Sequence, residues 1–214
     1  MNTSRERPAD DSCGASRWPA SRAGLAVVWV ALVAIAVSGR LWQPSWHGSP
    51  LWNATPLAGV ALAAGYVFSS AIVAVSVPVV ALVVSDLALP AHDNLPVALV
   101  VYAATAWPVF LGAAGLLGTR RPRWIAVLGG SLASSLVFFF STNVAHWLFA
   151  SDYPRTAAGL GECLVAALPF YRWMPVGDIA WTAIVFATLV AVRATVGHGA
   201  GGAVPQAVPV RPLD

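Results

Sequence analysis

Long apolar runs separated by short polar stretches dominate this sequence and predict helices that cross a membrane. The run 53–89 is interrupted only by Ser69 and Ser70, so it divides into two arms of about 17 residues each, near the lower limit of ~17 to 25 residues for a span. Each arm can therefore cross fully or re-enter. The apolar runs are residues 23–39, 53–89, 96–117, 124–149 and 176–192. We interpret them as an all-α integral membrane bundle of six transmembrane helices.

A shorter and more mixed segment, residues 156–168, lies between the fifth and sixth spans. It is too short to cross a bilayer, but its leucines recur at helical spacing and form one apolar face. The leucines of this face are Leu160, Leu164 and Leu168. We predict a short interfacial or re-entrant helix at this point.

We predict that this short helix acts as a lid, because prolines at both of its ends separate it from the neighbouring spans. Tyr153 precedes Pro154, which disfavours helix before the segment, and Pro169 is expected to end the helix near its last leucine. The helix would then fold back over the outer mouth of the bundle. Glu162 or Arg155 would turn toward the cavity, since a charged group needs water or a partner.

The arginines decide between the possible topologies, because cytoplasmic loops are enriched in basic residues. All twelve basic residues are Arg. Six crossings with a cytoplasmic N-terminus leave Arg40, Arg155 and Arg172 outside, whereas a single crossing by 53–89 would divide the arginines evenly. The arginines predicted inside are Arg5, Arg7, Arg17, Arg22, Arg120, Arg121, Arg123, Arg193 and Arg211. We therefore predict a multi-pass protein of the cell membrane with both termini in the cytoplasm.

Composition places the chain in the same class. Hydrophobic residues make up 58% and charged residues only 10%, with a mean hydropathy of +0.72, whereas soluble domains have about 25% charged residues. The net charge of +3 does not indicate nucleic acid as a partner, because the arginines are scattered and form no basic patch. The lipid bilayer is the predicted partner.

One membrane domain lies between the polar segments at the two ends of the chain. Residues 1–22 and 197–214 are predicted to be disordered cytoplasmic tails, and residues 23–196 form the six-helix transmembrane domain. The first apolar run also resembles a secretory signal that could be cleaved near Ala36, but it is long enough to span. We favour an uncleaved first helix.

Polar residues collect on one side of this topology and define the candidate site. Asn53 opens the second span, Asp86 closes the third and Asp178 opens the sixth, so all three reach the outer side. Convergent polar and aromatic groups at one mouth of a bundle are typical of a small-molecule site. The predicted ligand-binding residues are Asn53, Asp86, Asn143, Trp147, Tyr153, Arg155, Glu162 and Asp178.

These residues also have structural explanations, which the sequence leaves open. Asp178 in the first turn of its helix would complement the helix dipole, and Asp86 would pair with an arginine such as Arg155 or Arg172. Asn143 would bond a neighbouring helix. The aromatic members of the set would be interface anchors.

Signatures of catalysis are missing from the sequence. It has no H-E-x-x-H metal helix, no G-x-S-x-G elbow and no phosphate-binding G-x-x-x-x-G-K loop. Asp86 and Asp178 could act as an acid and base pair, yet no nucleophile accompanies them. We therefore predict no enzymatic activity, no metal and no cofactor.

Several separate motifs occur in a characteristic order between about residues 50 and 190. They comprise Asn53, Thr55, Pro56, Gly59, Ala61, Leu62, Gly65, Tyr66, Pro78, Ser85, Asp86, Phe138, Phe139, Thr142, Asn143, Trp147, Tyr153, Thr156, Gly159, Leu160, Cys163, Pro169, Phe170, Gly177 and Asp178. In these residues the chain resembles a family of uncharacterised bacterial multi-span membrane proteins, known only as a domain of unknown function.

The architecture is also similar to that of the substrate-binding membrane subunits of energy-coupling-factor vitamin transporters, in size, span count and outer polar mouth. That resemblance implies a small ligand and separate ATPase and coupling subunits, and it is an analogy of fold. The favoured function is a membrane transport component that binds a small solute at an outward-facing polar pocket. The alternatives are a structural or interaction protein without transport activity and an intramembrane enzyme acting on a lipid-linked substrate.

Overall fold

A computed structural model of the chain describes residues 21–42, 45–46, 49–50, 53–89, 94–118 and 121–200. The described part is helical, apart from turns and one antiparallel pair of two-residue strands. Its elements are α1 (Arg22–Leu41), β1 (Ser45–Trp46), β2 (Ser49–Pro50), α2 (Leu57–Val67), α3 (Ala71–Asp86), α4 (Leu95–Ala106), α5 (Pro108–Ala113), α6 (Trp124–Phe149), α7 (Ala157–Tyr171) and α8 (Met174–Ala200). The predicted all-α class is confirmed, and the predictions for residues 1–20 and 201–214 lie outside the described residues.

Four helical stretches of the described chain are long and apolar enough to cross a membrane. One of them combines α4 and α5, which are separated only at Trp107, before the helix-starting Pro108. The four stretches are Arg22–Leu41, Leu95–Ala113, Trp124–Phe149 and Met174–Thr195. By length and composition the chain is a multi-pass membrane protein, as predicted. Helices α2 and α3, with 11 and 16 residues, are shorter than these stretches.

Several helix boundaries agree with the sequence pattern. Helix α6 covers the predicted run 124–149, and the run 53–89 divides at Phe68–Ser70. Ser70 caps α3 there, because its side chain accepts a hydrogen bond from the backbone N–H of Val73. Helix α8 extends beyond the predicted run 176–192 at both ends.

Helix α2 occupies the centre of the bundle. Every residue from Ala58 to Val67 is buried, and the turns at both ends are buried as well, at Pro56 and Phe68. The helix is about 16 Å long at ~1.5 Å per residue, roughly half of a ~30 Å hydrocarbon core. Non-helical backbone at membrane depth is tolerated where protein surrounds it, and α2 is surrounded by α1, α3, α5, α6 and α8.

Glycines bring α2 against its neighbours. A Cβ on Gly59 would lie 2.8 Å from the Cα of Thr182 in α8, and a Cβ on Gly65 would overlap the carbonyl oxygen of Val109 in α5. Gly112 of α5 faces α2 in the same way, because a Cβ there would overlap the carbonyl oxygen of Leu62. Small residues at such contacts let helix backbones approach closely, and they fix α2 against α5 and α8.

Helix α7 packs on α6 and α8, but its predicted C-terminal end was wrong. It continues through Pro169 to Tyr171, so the proline does not end it. Its buried residues are Gly159 and Cys163, whereas Leu168 is 50% exposed. Leu160 and Leu164 are half-buried, so the predicted leucine face is partly covered and only its last member faces outward. A Cβ on Gly159 would overlap the carbonyl oxygen of Pro154, in the turn before the helix.

Candidate functional site

A small cavity lies where the C-terminal ends of α1 and α3 meet the N-terminal ends of α2 and α8. Its volume is about 120 Å³, and side chains of α4, α5 and α6 complete its walls. It is lined by Arg40, Asn53, Thr55, Leu57, Ala58, Leu82, Leu89, Val101, Ala104, Thr105, Pro108, Ser134, Phe138, Met174 and Asp178. We refer to it as the Asp178 pocket. Its size fits a few waters or a small solute, since a water in the liquid occupies ≈30 Å³.

Asp178 is the buried acidic group of this pocket. Its side chain is only 2% exposed, and its Oδ2 accepts a hydrogen bond of 2.6 Å from the Ser135 hydroxyl. Among the described residues no cationic side chain lies within ion-pair distance of this carboxylate, and its Oδ1 has no hydrogen-bond partner there. The first-turn explanation was wrong, because α8 begins at Met174 and has no acidic residue in its first turn.

Hydroxyl groups connect α6 to α8 next to Asp178. The Thr182 hydroxyl donates a hydrogen bond of 3.1 Å to the Ser131 hydroxyl oxygen, one turn along both helices from the Ser135–Asp178 bond. All four side chains are at most 2% exposed. Buried polar groups of this kind join helices in a membrane protein, and here they hold the carboxylate in a fixed position at the pocket wall.

Asp86 is paired with a residue that the sequence prediction did not choose. Its Oδ1 accepts from Arg40 at 2.7 Å, and its Oδ2 accepts from the Tyr102 hydroxyl at 2.8 Å. Arg40 also donates to the Ser85 hydroxyl oxygen at 2.6 Å. The predicted partners Arg155 and Arg172 were wrong, because α1 packs along α3 and its last turn supplies the cation. Arg40 lines the Asp178 pocket, whereas Asp86, its ion-pair partner, is not among the lining residues.

A second cavity, of about 210 Å³, adjoins the first and is covered by α7. Asn53, Phe138 and Met174 line both cavities. The other residues that line it are Phe139, Thr142, Asn143, Ala167, Phe170 and Tyr171. We refer to it as the α7 pocket. The C-terminal part of the predicted lid helix therefore forms one of its walls.

The two asparagines of the predicted site line these cavities. Asn53 is exposed and adopts a left-handed backbone with φ 61°, a conformation that Asn tolerates better than most residues. Asn143 lines the α7 pocket, and its side-chain amide donates to the carbonyl oxygen of Phe139 at 2.7 Å. That bond is within α6, so the predicted interhelical bond from this amide was wrong.

Three other predicted site residues lie in the last turn of α6 and in the loop that connects it to α7. The Trp147 indole donates to the carbonyl oxygen of Pro154 at 2.9 Å. Arg155 donates to the carbonyl oxygens of Trp147 and Ala150 at the end of α6, where a cation complements the helix dipole. The Tyr153 ring lies against His146 at 6.3 Å between centroids. Among the described lining residues neither cavity includes this loop, and these side chains fix its shape.

Glu162 and its neighbour Cys163 lie on different sides of α7. Glu162 is exposed and lines neither cavity among the described residues. Cys163 is 2% exposed, and its thiol donates a weak bond to the Asn143 carbonyl oxygen at 3.6 Å. Burial raises the pKa of this thiol, and the Asp152 carboxylate raises it further. The cysteine is thus a packing residue between α6 and α7.

Four polar residues of the Asp178 pocket were not among the predicted site residues. Arg40 was assigned only a topological role, Thr55 was named only for the family resemblance, and Thr105 and Ser134 were not considered. A signal for Ser134 was present, because α6 carries serines at 131, 134 and 135, a spacing that puts them on one helical face. Hydroxyls on one face of an apolar span need partners, and this face meets α8.

Comparison with known proteins gives one match. A family model described as "Family of unknown function (DUF6580)" matches residues 21–200. No curated protein and no solved structure matches the chain. Within the described residues, no group of three or more His, Cys, Asp or Glu could hold a metal ion.

Proposed function

The chain belongs to this family of unknown function, and we propose that it is a membrane transport component that binds a small solute in the Asp178 pocket. The observation that carries the proposal is the Asp178 carboxylate, which is 2% exposed and faces a cavity of about 120 Å³. Burying a charge without a partner costs free energy. Intramembrane acidic residues facing a cavity typically belong to substrate or ion pathways.

We further propose six crossings, formed by α1, α2, α3, α4 with α5, α6 and α8, with both termini in the cytoplasm. The Arg distribution supports this topology. The Asp178 pocket then opens to the outside, because it lies at the ends of α1 and α3 and the starts of α2 and α8. The α7 helix lies on the same side and covers the adjoining α7 pocket.

Reporter fusions test the topology. We expect fusions after Gly118 and Gly199 to report a cytoplasmic location and a fusion after His92 to report an external one. A fusion after Arg22 serves as the cytoplasmic reference. An external Gly199, or a cytoplasmic His92, would contradict six crossings.

Filling the pocket tests the function. Ala104 is 6% exposed and lines the pocket, while its neighbour Ala103 is exposed. In nanodiscs we expect a solute from a panel grouped by charge to raise the unfolding midpoint of the wild type. Ala104→Leu should reduce its affinity by at least about tenfold, because the added side chain occupies the binding volume. Ala103→Leu should bind as the wild type does.

The same experiment separates the proposal from the alternatives. If no solute changes the midpoint, the hydroxyl contacts of Asp178 only join α6 to α8 and the chain is a structural or interaction protein. Turnover of a lipid-linked precursor would indicate the intramembrane enzyme. Copurification of ATPase and coupling subunits would support import, since transport needs an energy source.

A further inference from the structure

Two hydroxyl groups in the wall of the Asp178 pocket are available to a bound molecule only as hydrogen-bond acceptors. The Ser134 hydroxyl donates to the carbonyl oxygen of Gly130 at 2.7 Å, and the Thr105 hydroxyl donates to the carbonyl oxygen of Val101 at 2.8 Å. Each hydroxyl has one proton and two lone pairs. Because each proton is bound within its own helix, only lone pairs remain for a molecule in the pocket.

Asp178 adds a charged acceptor to these two. Its Oδ2 is bound by Ser135, whereas its Oδ1 has no hydrogen-bond partner among the described residues. The three acceptors come from α4, α6 and α8, so they surround the cavity from different helices. A donor in the pocket can therefore be held from more than one side.

The charges of the described pocket wall leave one negative charge without compensation. Two charged side chains, Arg40 and Asp178, are among the lining residues. The ion pair with Asp86 neutralises Arg40. The side chains of Arg40 and Asp86 are only 16% and 17% exposed, so this ion pair is largely shielded from water. Asp178 has no such cationic partner in the described structure, so an anionic solute would face an unpaired carboxylate.

The size and the apolar lining of the Asp178 pocket limit which cation can pair with the Asp178 carboxylate. The volume of about 120 Å³ is roughly four times the ≈30 Å³ of one water, which exceeds the space needed by a bare alkali ion. Much of the remaining wall is apolar, including Leu57, Leu82, Val101 and Phe138. A short alkyl group suits such a wall, and a cation near an aromatic ring gains a favourable interaction.

We infer that the solute bound in the Asp178 pocket is a small organic ammonium ion, whose charged amino group pairs with Asp178 and donates to Ser134 and Thr105. The inference rests on the proposed function, because it names the class of solute for the same pocket. The amino group supplies hydrogen-bond donors to these three acceptors, and its charge neutralises the buried carboxylate. The alkyl part fills the apolar side of the cavity.

A set of solutes matched in size and differing in charge tests this inference. The full-length protein in nanodiscs is titrated with propylammonium, 1-propanol and propionate, with NaCl holding the ionic strength constant. We expect only propylammonium to raise the unfolding midpoint with a saturable dependence, as a ligand of the native state does. Methylammonium and tetramethylammonium extend the set to smaller and donor-free cations, and methylammonium should bind better than tetramethylammonium.

Variants connect the response to the named groups. Asp178→Asn should weaken propylammonium binding on the order of 30-fold or more, since it removes one partner of a buried charge pair. Ser134→Ala should weaken it by about tenfold, since it removes an acceptor to a charged donor. Asp152→Asn is the control, because that carboxylate is 62% exposed and pairs with His146 outside the pocket.

The possible results separate this inference from the proposed function. If propanol or propionate stabilises the protein and Asp178→Asn leaves that response unchanged, the ammonium inference is overturned and the solute-binding function stands. A response to Na⁺ alone that equals the response to the amines also overturns it. If no solute of any charge stabilises the wild type, both fail together.

Discussion

Replacing Gly65 with alanine is expected to destabilise the protein by about 3 kcal/mol or more, at the upper end of overpacking changes. A Cβ at this position would overlap the carbonyl oxygen of Val109, which belongs to the backbone of α5. A side chain could rotate away, but backbone can yield only if the whole helix moves. Because α2 is buried along its length, that movement would disturb its contacts with the other helices. Thermal and denaturant unfolding in nanodiscs measure the effect.

Gly112 and Gly129 provide the matched comparisons for this result. Gly112→Ala should be similarly destabilising, because its Cβ would overlap the Leu62 carbonyl oxygen from the opposite side of the same interface. Gly129→Ala should be neutral or stabilising by up to ~1 kcal/mol, since nothing lies within 4 Å of its Cβ position and alanine favours helix. Equal unfolding midpoints for Gly65→Ala and Gly129→Ala would contradict the close α2–α5 contact.

The central position of α2 was only partly visible in the sequence. The run 53–89 was correctly divided at Ser69 and Ser70, because polar residues interrupt an otherwise continuous apolar pattern. Hydrophobicity alone cannot separate a helix facing lipid from one surrounded by protein, since both are apolar. The glycines and alanines of α2 carry that information, because small residues mark close helix contacts in membranes.

The sequence predicted which polar residues belong to the candidate site where such a residue lies at the end of its own span. It did not predict which residues of other helices these side chains contact. Asp178 was identified because a carboxylate in an apolar run needs compensation. The partner of Asp86 was assigned wrongly, because sequence order does not tell which helix ends meet. Arg40 lies far from Asp86 along the chain, and only the packing of α1 on α3 brings them within 2.7 Å.

Helix α7 illustrates a different limit of sequence reasoning. Its N-terminal boundary was predicted from the Tyr153-Pro154 pair, and Thr156 indeed caps the helix by accepting from the backbone N–H of Gly159 at 3.1 Å. The leucines predicted the inward face only in part, because Leu160 and Leu164 are half-buried and Leu168 is exposed. The fully buried residues of the helix are Gly159 and Cys163. Leucines drive burial in water, but between helices in a membrane protein the close approach of small residues competes with this effect.

The same Asp→Asn substitution at two carboxylates is expected to have different effects on stability. Asp86→Asn should destabilise the protein by about 2–4 kcal/mol, because it leaves the largely buried Arg40 guanidinium without its counter-charge. A single amide oxygen also cannot replace both carboxylate oxygens, which accept from Arg40 and Tyr102. Asp178→Asn should leave stability unchanged or increase it by ~1–2 kcal/mol in the absence of a solute. It removes a buried charge that has no cationic partner in the described structure, and its amide oxygen can still accept from Ser135.

Unfolding of the solute-free protein in nanodiscs measures both changes, with Asp152→Asn as the exposed control expected to remain within about 0.5 kcal/mol of the wild type. A double-mutant cycle with Arg40→Gln and Asp86→Asn should return a coupling energy above about 1 kcal/mol, because the two side chains are in direct contact.

If Asp178→Asn destabilises the empty protein as strongly as Asp86→Asn, the Asp178 charge is already balanced within the protein. The pocket would then have no unpaired negative charge for a cationic solute. A carboxylate that stabilises the fold through its charge is already paired within the protein, so pairing it with a ligand instead would cost stability.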